Sequence, residues 1–317
     1  MADTDPSVEL LVPQDVPPDH RSGFVAVMGR PNVGKSTLLN AYLGQKLGIV
    51  SDKPQTTRTT LLGILTLPEA QIIFVDTPGI HQPLHKLGEY MVKSALSALE
   101  DADVALLLVD LSFPPGKEDR LVAESLGKAR LARKILVMNK LDLVAADELA
   151  EREQAYTQLI PTDEHISISA TRGDNRDELL RRIIAALPFG PRYFPPDQIT
   201  DQQERFFAAE LIREQVLLHT RQEIPYSVAV VIDEFRQRRE NLAYIGATIL
   251  VEKESQKGII IGEKGSMLKK IGAGARAAIQ DLLGHPVYLD LWVKVNQKWR
   301  NDEAELRRLG YRLPQPE

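Results

Sequence analysis

The stretch Gly29-Arg30-Pro31-Asn32-Val33-Gly34-Lys35-Ser36 sets glycines, a lysine and a serine at the spacing G-x-x-x-x-G-K-[ST]. Gly29 and Gly34 let the backbone curl so that consecutive N–H groups turn inward onto phosphate oxygens. Lys35 is a point charge for the β- and γ-phosphates, Ser36 a hydroxyl for Mg²⁺, and Thr37 opens a helix whose positive end faces the same phosphates. Further along, Asp76-Thr77-Pro78-Gly79 offers a carboxylate for Mg²⁺ and the Gly79 N–H for a γ-phosphate. Asn139-Lys140-Leu141-Asp142 reads the base. The Asp142 carboxylate accepts from the ring N–H and the exocyclic amine of guanine, a pair that adenine lacks. Lys140 lays its alkyl stem over the base plane, Asn139 ties this loop to the P-loop, and Ser169-Ala170-Thr171 is placed to offer backbone N–H to guanine O6. The chemistry implied is binding and hydrolysis of GTP.

Ile80 stands after Gly79 where Ras-like enzymes carry a water-orienting glutamine, and an aliphatic side chain cannot orient water. The amide of Asn32 is a candidate K⁺ ligand beside the phosphates. Slow intrinsic turnover, faster in potassium than in sodium, is therefore expected.

These motifs need a sheet to hold them. Short apolar runs at Phe24–Met28, Leu61–Leu67, Gln71–Val75, Val104–Asp110, Lys134–Met138 and His165–Ile168 alternate with amphipathic stretches, the signature of βαβ units around a largely parallel sheet. The motifs fall at the strands' carboxyl ends, where such sheets bind ligands. Between them, Ser51 to Thr60 is polar and threonine-rich, including Thr56 and Thr57, a loop suited to ordering around Mg²⁺ and a γ-phosphate. The proline-rich run Pro188–Pro196 admits no helix and marks a domain boundary. Beyond it a helix is expected over Gln203–His219, with strands at Tyr226–Ile232, Ala243–Val251 and Val287–Val295.

In this second part the apolar run Gly258–Ile261, expected as a strand, meets Gly262-Glu263-Lys264-Gly265 and then Ser266-Met267-Leu268-Lys269-Lys270 opens a helix. A G-x-x-G loop clamps the backbone of single-stranded nucleic acid, because phosphates approach its glycines closely at a helix N-terminus. From Lys253 to Arg276 six basic side chains stand against two acidic ones, in a chain whose net charge is −5. A local phosphate footprint has that character. Ile260 and Ile261 are expected to read sequence beside the loop.

At 317 residues two domains are expected. The acidic balance argues against non-specific coating of nucleic acid. The absence of cysteine excludes disulfides and thiolate chemistry and fits a cytoplasmic setting. No apolar run approaches the ~20 residues that span a bilayer. Met1 to Ser22, acidic and proline-bearing, reads as a tail and not as a signal peptide.

From about Gly23 to Leu313 the chain resembles the bacterial Era GTPases. The resemblance rests on Gly29–Ser36, Gln55-Thr56-Thr57-Arg58, Asp76–Gly79, Asn139–Asp142, Ser169-Ala170, Glu223–Val230 and Gly258–Gly272. It implies an α/β P-loop (Ras-like) GTPase domain at 23–188, a linker at 189–200 and an α+β type II KH domain at 201–313, with tails at 1–22 and 314–317. Thr57 corresponds to the switch threonine that joins Ser36 and Asp76 on Mg²⁺, and Lys35, Thr57 and Gly79 to the groups that stabilise transferring phosphate. The resemblance also implies a monomeric, cytoplasmic, ribosome-associated switch that binds the single-stranded 3′ end of 16S rRNA. It would serve maturation of the 30S small subunit, with peripheral association at the inner membrane face. Glu263 departs from the basic or amide residues common at its position. Two rival readings make contrary demands. An RNA-modifying GTPase of known type needs a C-terminal cysteine, which this chain lacks. A nucleotide-dependent scaffold whose second domain binds protein has no use for the basic segment.

Overall fold

The computed structural model describes residues 16–49, 53, 55–127, 133–162, 164–239 and 241–311. Residues 1–15 and 314–317 of the expected tails, Arg312 and Leu313 at the end of the expected second domain, and Ser51, Asp52 and Pro54 of the expected switch loop, lie outside them.

The first domain runs β1 (Arg21–Met28), α1 (Lys35–Leu43), β2 (Leu61–Thr66), β3 (Ala70–Asp76), α2 (Lys86–Glu100), β4 (Val104–Asp110), α3 (Lys117–Gly127), β5 (Lys134–Asn139), α4 (Leu149–Leu159), β6 (Glu164–Ser167) and α5 (Arg176–Ala186). Its sheet has the order β2-β3-β1-β4-β5-β6, parallel except where β2 runs antiparallel to β3. The central strands β3 and β4 are buried along their whole length, which their unbroken β-branched and leucine runs require of strands covered on both faces. Chain order reverses at β1, flanked by β3 and β4. The crevice for a ligand opens at such a point, and the P-loop leaves β1 there.

Two boundaries differ from the expectation. Strand β1 starts at Arg21, inside the stretch read as tail, because Arg21 and Ser22 pair with Ala70 and Gln71 of β3. The segment 189–200, expected as a linker, is bonded to the first domain. Buried Gln71 accepts from the Tyr193 and Phe194 amides (2.7 and 2.9 Å) and donates to the Phe194 carbonyl (2.8 Å). A proline-rich segment makes no regular ladder, so a side-chain amide does the bonding.

The second domain runs α6 (Glu204–His219), α7 (Ile224–Ser227), β7 (Ala229–Arg239), β8 (Leu242–Val251), α8 (Glu254–Ile261), α9 (Ser266–Leu283), β9 (Val287–Val295) and α10 (Glu303–Arg308). Its sheet is β7-β8-β9, antiparallel then parallel. Ile212, Ile245, Ile249, Ile260, Ile271 and Ile279 form the core between that sheet and the helices α6, α8 and α9, each burial contributing roughly 1.5–3 kcal/mol. The run Tyr226–Ile232 is split: Tyr226 and Ser227 end the single turn α7, which has Pro225 in its first turn, and the strand follows from Ala229. The run Gly258–Ile261 is the end of helix α8, not a strand. Four residues in a row carry no periodicity that could separate the two.

The two domains touch. Leu87 and Met91 of α2 pack with Ala229, Leu250, Trp299 and Leu306, and Leu47 and Leu61 pack with Phe207. Among the described residues no helix is long and apolar enough to cross a membrane.

Candidate functional site

Lys35 is buried, and its Nζ donates to the carbonyls of Gly29 (3.3 Å) and Arg30 (3.1 Å). Burial pushes the ammonium down to about 8, against the pull of Asp76. Phosphate oxygens in the cavity would supply the countercharge that keeps it protonated. That cavity, about 420 Å³, is lined by Asn32, Gly34, Lys35, Ser36, Thr37, Thr56, Thr57, Gly79 and Lys140, with Pro31, Ile49 and Gln55 at its sides.

On one side of it three oxygens converge. Ser36 Oγ donates to Asp76 Oδ2 at 2.7 Å and lies 3.1 Å from Thr57 Oγ1. The second carboxylate oxygen, Asp76 Oδ1, is buried without a hydrogen-bond partner, and burial raises the carboxyl's pKa. An all-oxygen cluster with an unsatisfied buried acceptor fits a hard divalent cation such as Mg²⁺. Gly48 closes this side. A Cβ there would lie 2.8 Å from Ser36 Cβ and 3.4 Å from Asp76 Oδ2, and Asn40 holds the turn by accepting from the Leu47 and Gly48 amides. Neither Gly48 nor Asn40 belongs to a motif, so neither was legible in the sequence.

Asn139 Nδ2 donates to the Val33 carbonyl at 2.8 Å and so joins the guanine motif to the P-loop. Its Oδ1 accepts from the Ala170 N–H at 2.9 Å, while the Ser169 N–H is given to the Asp174 carbonyl. Neither amide is therefore available to guanine O6 in this arrangement, contrary to the expectation for that dipeptide, and Thr171 is exposed beside them. Asp142 sits in the short turn after Lys140, whose own φ of 68° is left-handed.

Several other residues of these motifs turn their side chains away from the cavity. The Arg30 side chain turns away from the cavity to Asp119 and Asp110. Val33 is buried in the sheet core, Thr77 gives its hydroxyl to the Val27 carbonyl (2.7 Å), and Pro78 is buried. Ile80 is wholly inside the core between sheet and helices. Gly79 stays at the cavity wall, and His81 Nδ1 lies 2.8 Å from its carbonyl.

The switch loop is gripped from the second domain. Arg213 of α6 donates to the Thr56 carbonyl. Arg58, fully buried, donates to the carbonyls of Val228 (2.6 Å), Pro225 (3.1 Å) and Tyr226 (3.3 Å), and its guanidinium lies 5.9 Å from the ring centre of Trp299. Lys53 donates to the carbonyls of Leu217 and Thr220 at the end of α6, and Lys46 pairs with Glu214 at 2.6 Å.

The G-x-x-G loop joins α8 to α9. Gly262 has φ 72°, and a Cβ there would lie 2.7 Å from Met267 Cβ. Lys264 and Gly265 are also left-handed. Lys264, Lys269 and Lys270 are exposed around it, with Glu263 and Ser266 exposed between them. Ile260 is fully buried and Ile261 packs half-buried against the core, so neither is the reading surface expected of them. Helical geometry turns Ile259 outward instead, half exposed.

Comparison with known proteins adds independent findings. Residues 24–140 match the family described as 50S ribosome-binding GTPase, and residues 223–300 match the KH domain. A protein of Geobacter metallireducens named GTPase Era is 51% identical over 292 residues, covering 92% of this chain and 98% of the relative. Its namesake from Leuconostoc citreum is 50% identical, covering 92% and 96%. Among solved structures, a point variant of Aquifex aeolicus Era bound to GDP·AlF4⁻ matches with TM-score 0.86 and 42% identity, covering 92% of this chain and 99% of that one. A structure of Era with MgGDPNP and nucleotides 1506–1542 of 16S ribosomal RNA matches with TM-score 0.87 and 42% identity over the same shares.

Replacing Asp142 by Asn leaves one acceptor where guanine presents two donors. GTP affinity should fall by at least about a hundredfold, with a gain for xanthosine triphosphate, whose C2 carbonyl accepts from the new amide. Competition titration of the two nucleotides measures this, and unchanged GTP affinity would contradict it.

Proposed function

The chain belongs to the Era family of GTPases, and from that membership we propose that it is a GTP-driven switch that binds the single-stranded 3′ end of 16S rRNA. It acts, as a cytoplasmic monomer, in maturation of the 30S small ribosomal subunit. The observation that carries the coupling is the double role of α6. That helix holds the Thr56 carbonyl through Arg213 and packs along α9, the helix that the G-x-x-G loop opens. The Era complex with MgGDPNP and a 16S rRNA fragment supports both ligands for this chain.

Ser36, Thr57 and Asp76 are the residues that would hold Mg²⁺. When bound, Mg²⁺ neutralises the charge that develops on the β- and γ-phosphate oxygens. Lys35 and the Gly79 N–H act on the same charge, already positioned before the reaction. Asp142 and Lys140 select guanine. The chain presents no general base at Ile80, and catalysis is positioning and charge stabilisation. The side-chain amide of Asn32, whose φ of 63° turns its backbone within the P-loop, would hold K⁺, which would supply a further positive charge. Turnover is faster in potassium than in sodium at equal ionic strength, and equal rates would remove this ion from the mechanism.

RNA enters at the G-x-x-G loop, where Gly262 and Gly265 leave room for phosphates and Lys264, Lys269 and Lys270 supply charge. A labelled oligonucleotide of the rRNA 3′ end should bind the protein, with affinity falling by a log–log salt slope of about −0.7 per phosphate contact. The variant Gly262→Asp/Gly265→Asp should lose that binding while keeping GTP. Absence of RNA binding in a wild-type protein that still binds GTP would favour the scaffold reading.

A further inference from the structure

Asp110 closes β4 at the strand's carboxyl end, and its carboxylate is shared by two cations from different motifs. Oδ2 accepts from Lys140 Nζ at 2.7 Å and lies 3.4 Å from Arg30 Nη2. Oδ1 accepts from the Ser112 hydroxyl and, at 3.2 Å, from the Ser112 N–H. The Asp110 carbonyl in turn accepts from the buried hydroxyl of Tyr156 at 3.0 Å, so backbone and side chain are both fixed. Arg30 has a second anion, Asp119, at 3.1 Å from its Nε, and Asp119 itself accepts from the Gly116 N–H at 2.9 Å. The result is a chain of alternating charge, Asp119, Arg30, Asp110, Lys140, running from the start of α3 past the P-loop to the guanine motif.

The side chains of Asp110 and Asp119 are each only 4% exposed, whereas Lys140 is 29% exposed and lines the cavity. Burial works against the charge on Asp110, but Lys140 and Ser112 outweigh it and hold the carboxyl below the usual range. A flexible lysine stem is a poor platform unless its tip is anchored. Here the tip is anchored to a carboxylate that the surrounding structure does not allow to move.

We propose that Asp110 is a positioning residue for guanine: it fixes the Lys140 ammonium so that the alkyl stem lies across the base plane. Asp110 does not itself line the cavity. This rests on reading Asn139–Asp142 as the guanine motif, and the two ideas fail differently. Wild-type protein that does not prefer GTP to ATP would overturn the motif itself.

The test is nucleotide affinity in a double-mutant cycle of Asp110→Asn and Lys140→Met, with GTP, GDP and inosine triphosphate as probes. Asp110→Asn should weaken all three by about tenfold, the low end of what loss of an orienting partner costs. KM should rise by that factor, with kcat altered far less. Inosine lacks the exocyclic amine that Asp142 reads, so a general distortion of the loop would change the GTP/inosine ratio, and loss of Lys140 anchoring would leave it alone. In the Lys140→Met background, Asp110→Asn should cost nothing further. Additive losses, or a changed GTP/inosine ratio, would overturn the proposal. Should Asp110→Asn melt early, Ser112→Ala removes one bond that orients the carboxylate and keeps the charge. A smaller loss common to the three nucleotides is then expected, and no loss overturns the proposal.

Discussion

Three consecutive residues of the switch loop are held by two different domains, and the coupling of nucleotide to RNA depends on that. Thr57 Oγ1 faces Ser36 in the cation cluster, while the Thr56 carbonyl and the Arg58 guanidinium are taken by the second domain. In an extended segment neighbouring side chains point to opposite sides, so the segment lies between the two domains with one partner on each face. Arg58 is the costly part of this arrangement. Its burial lowers its pKa, and a buried cation is tolerated only when hydrogen bonds offset its desolvation. Three carbonyls, all between Pro225 and Val228 at the entrance to β7, satisfy its two terminal nitrogens, while Nε is buried without a hydrogen-bond partner. Separation of the domains would strand those carbonyls and return the cation to water, so the loop and the second domain move together or not at all.

From α7 and α6 the constraint passes into the RNA-binding half. Helix α6 packs between the switch and α9, and Ile212, Ile271 and Ile279 fill the space between sheet and helices. A close-packed core transmits a shift of one helix to the next because it has no slack to absorb it. The loop at Gly262–Gly265 sits at the end of this path. Its glycines satisfy two requirements at once, a left-handed backbone and room for phosphates.

The phosphate and guanine motifs were legible because each is local: its function is made by contiguous residues and by the backbone turn they impose. The α/β sheet was legible for the same reason, since buried parallel strands read as uninterrupted apolar runs. What could not be read came from distance or from missing periodicity. Asp110, Asp119 and Arg213 act on residues of other elements, and no spacing in the chain announces those pairs. The Ala170 amide was assigned to guanine from its position alone, whereas the fold gives it to Asn139. Ile260 was placed on the RNA surface because it stands beside the G-x-x-G loop, in a run of three isoleucines that reads as a strand. As the end of a helix the same run buries one of them and exposes its neighbour Ile259.

By linkage, if nucleotide state changes RNA affinity, RNA changes nucleotide affinity by the same factor. The most direct measurement is the ratio of RNA affinities with GTP analogue and with GDP, in wild-type protein and in Arg213→Met, which breaks the hold on the Thr56 carbonyl without touching either ligand site. The account predicts tighter RNA binding with the analogue in the wild type, and a ratio close to one in the variant with nucleotide binding retained. An unaltered ratio in the variant would contradict transmission through this contact.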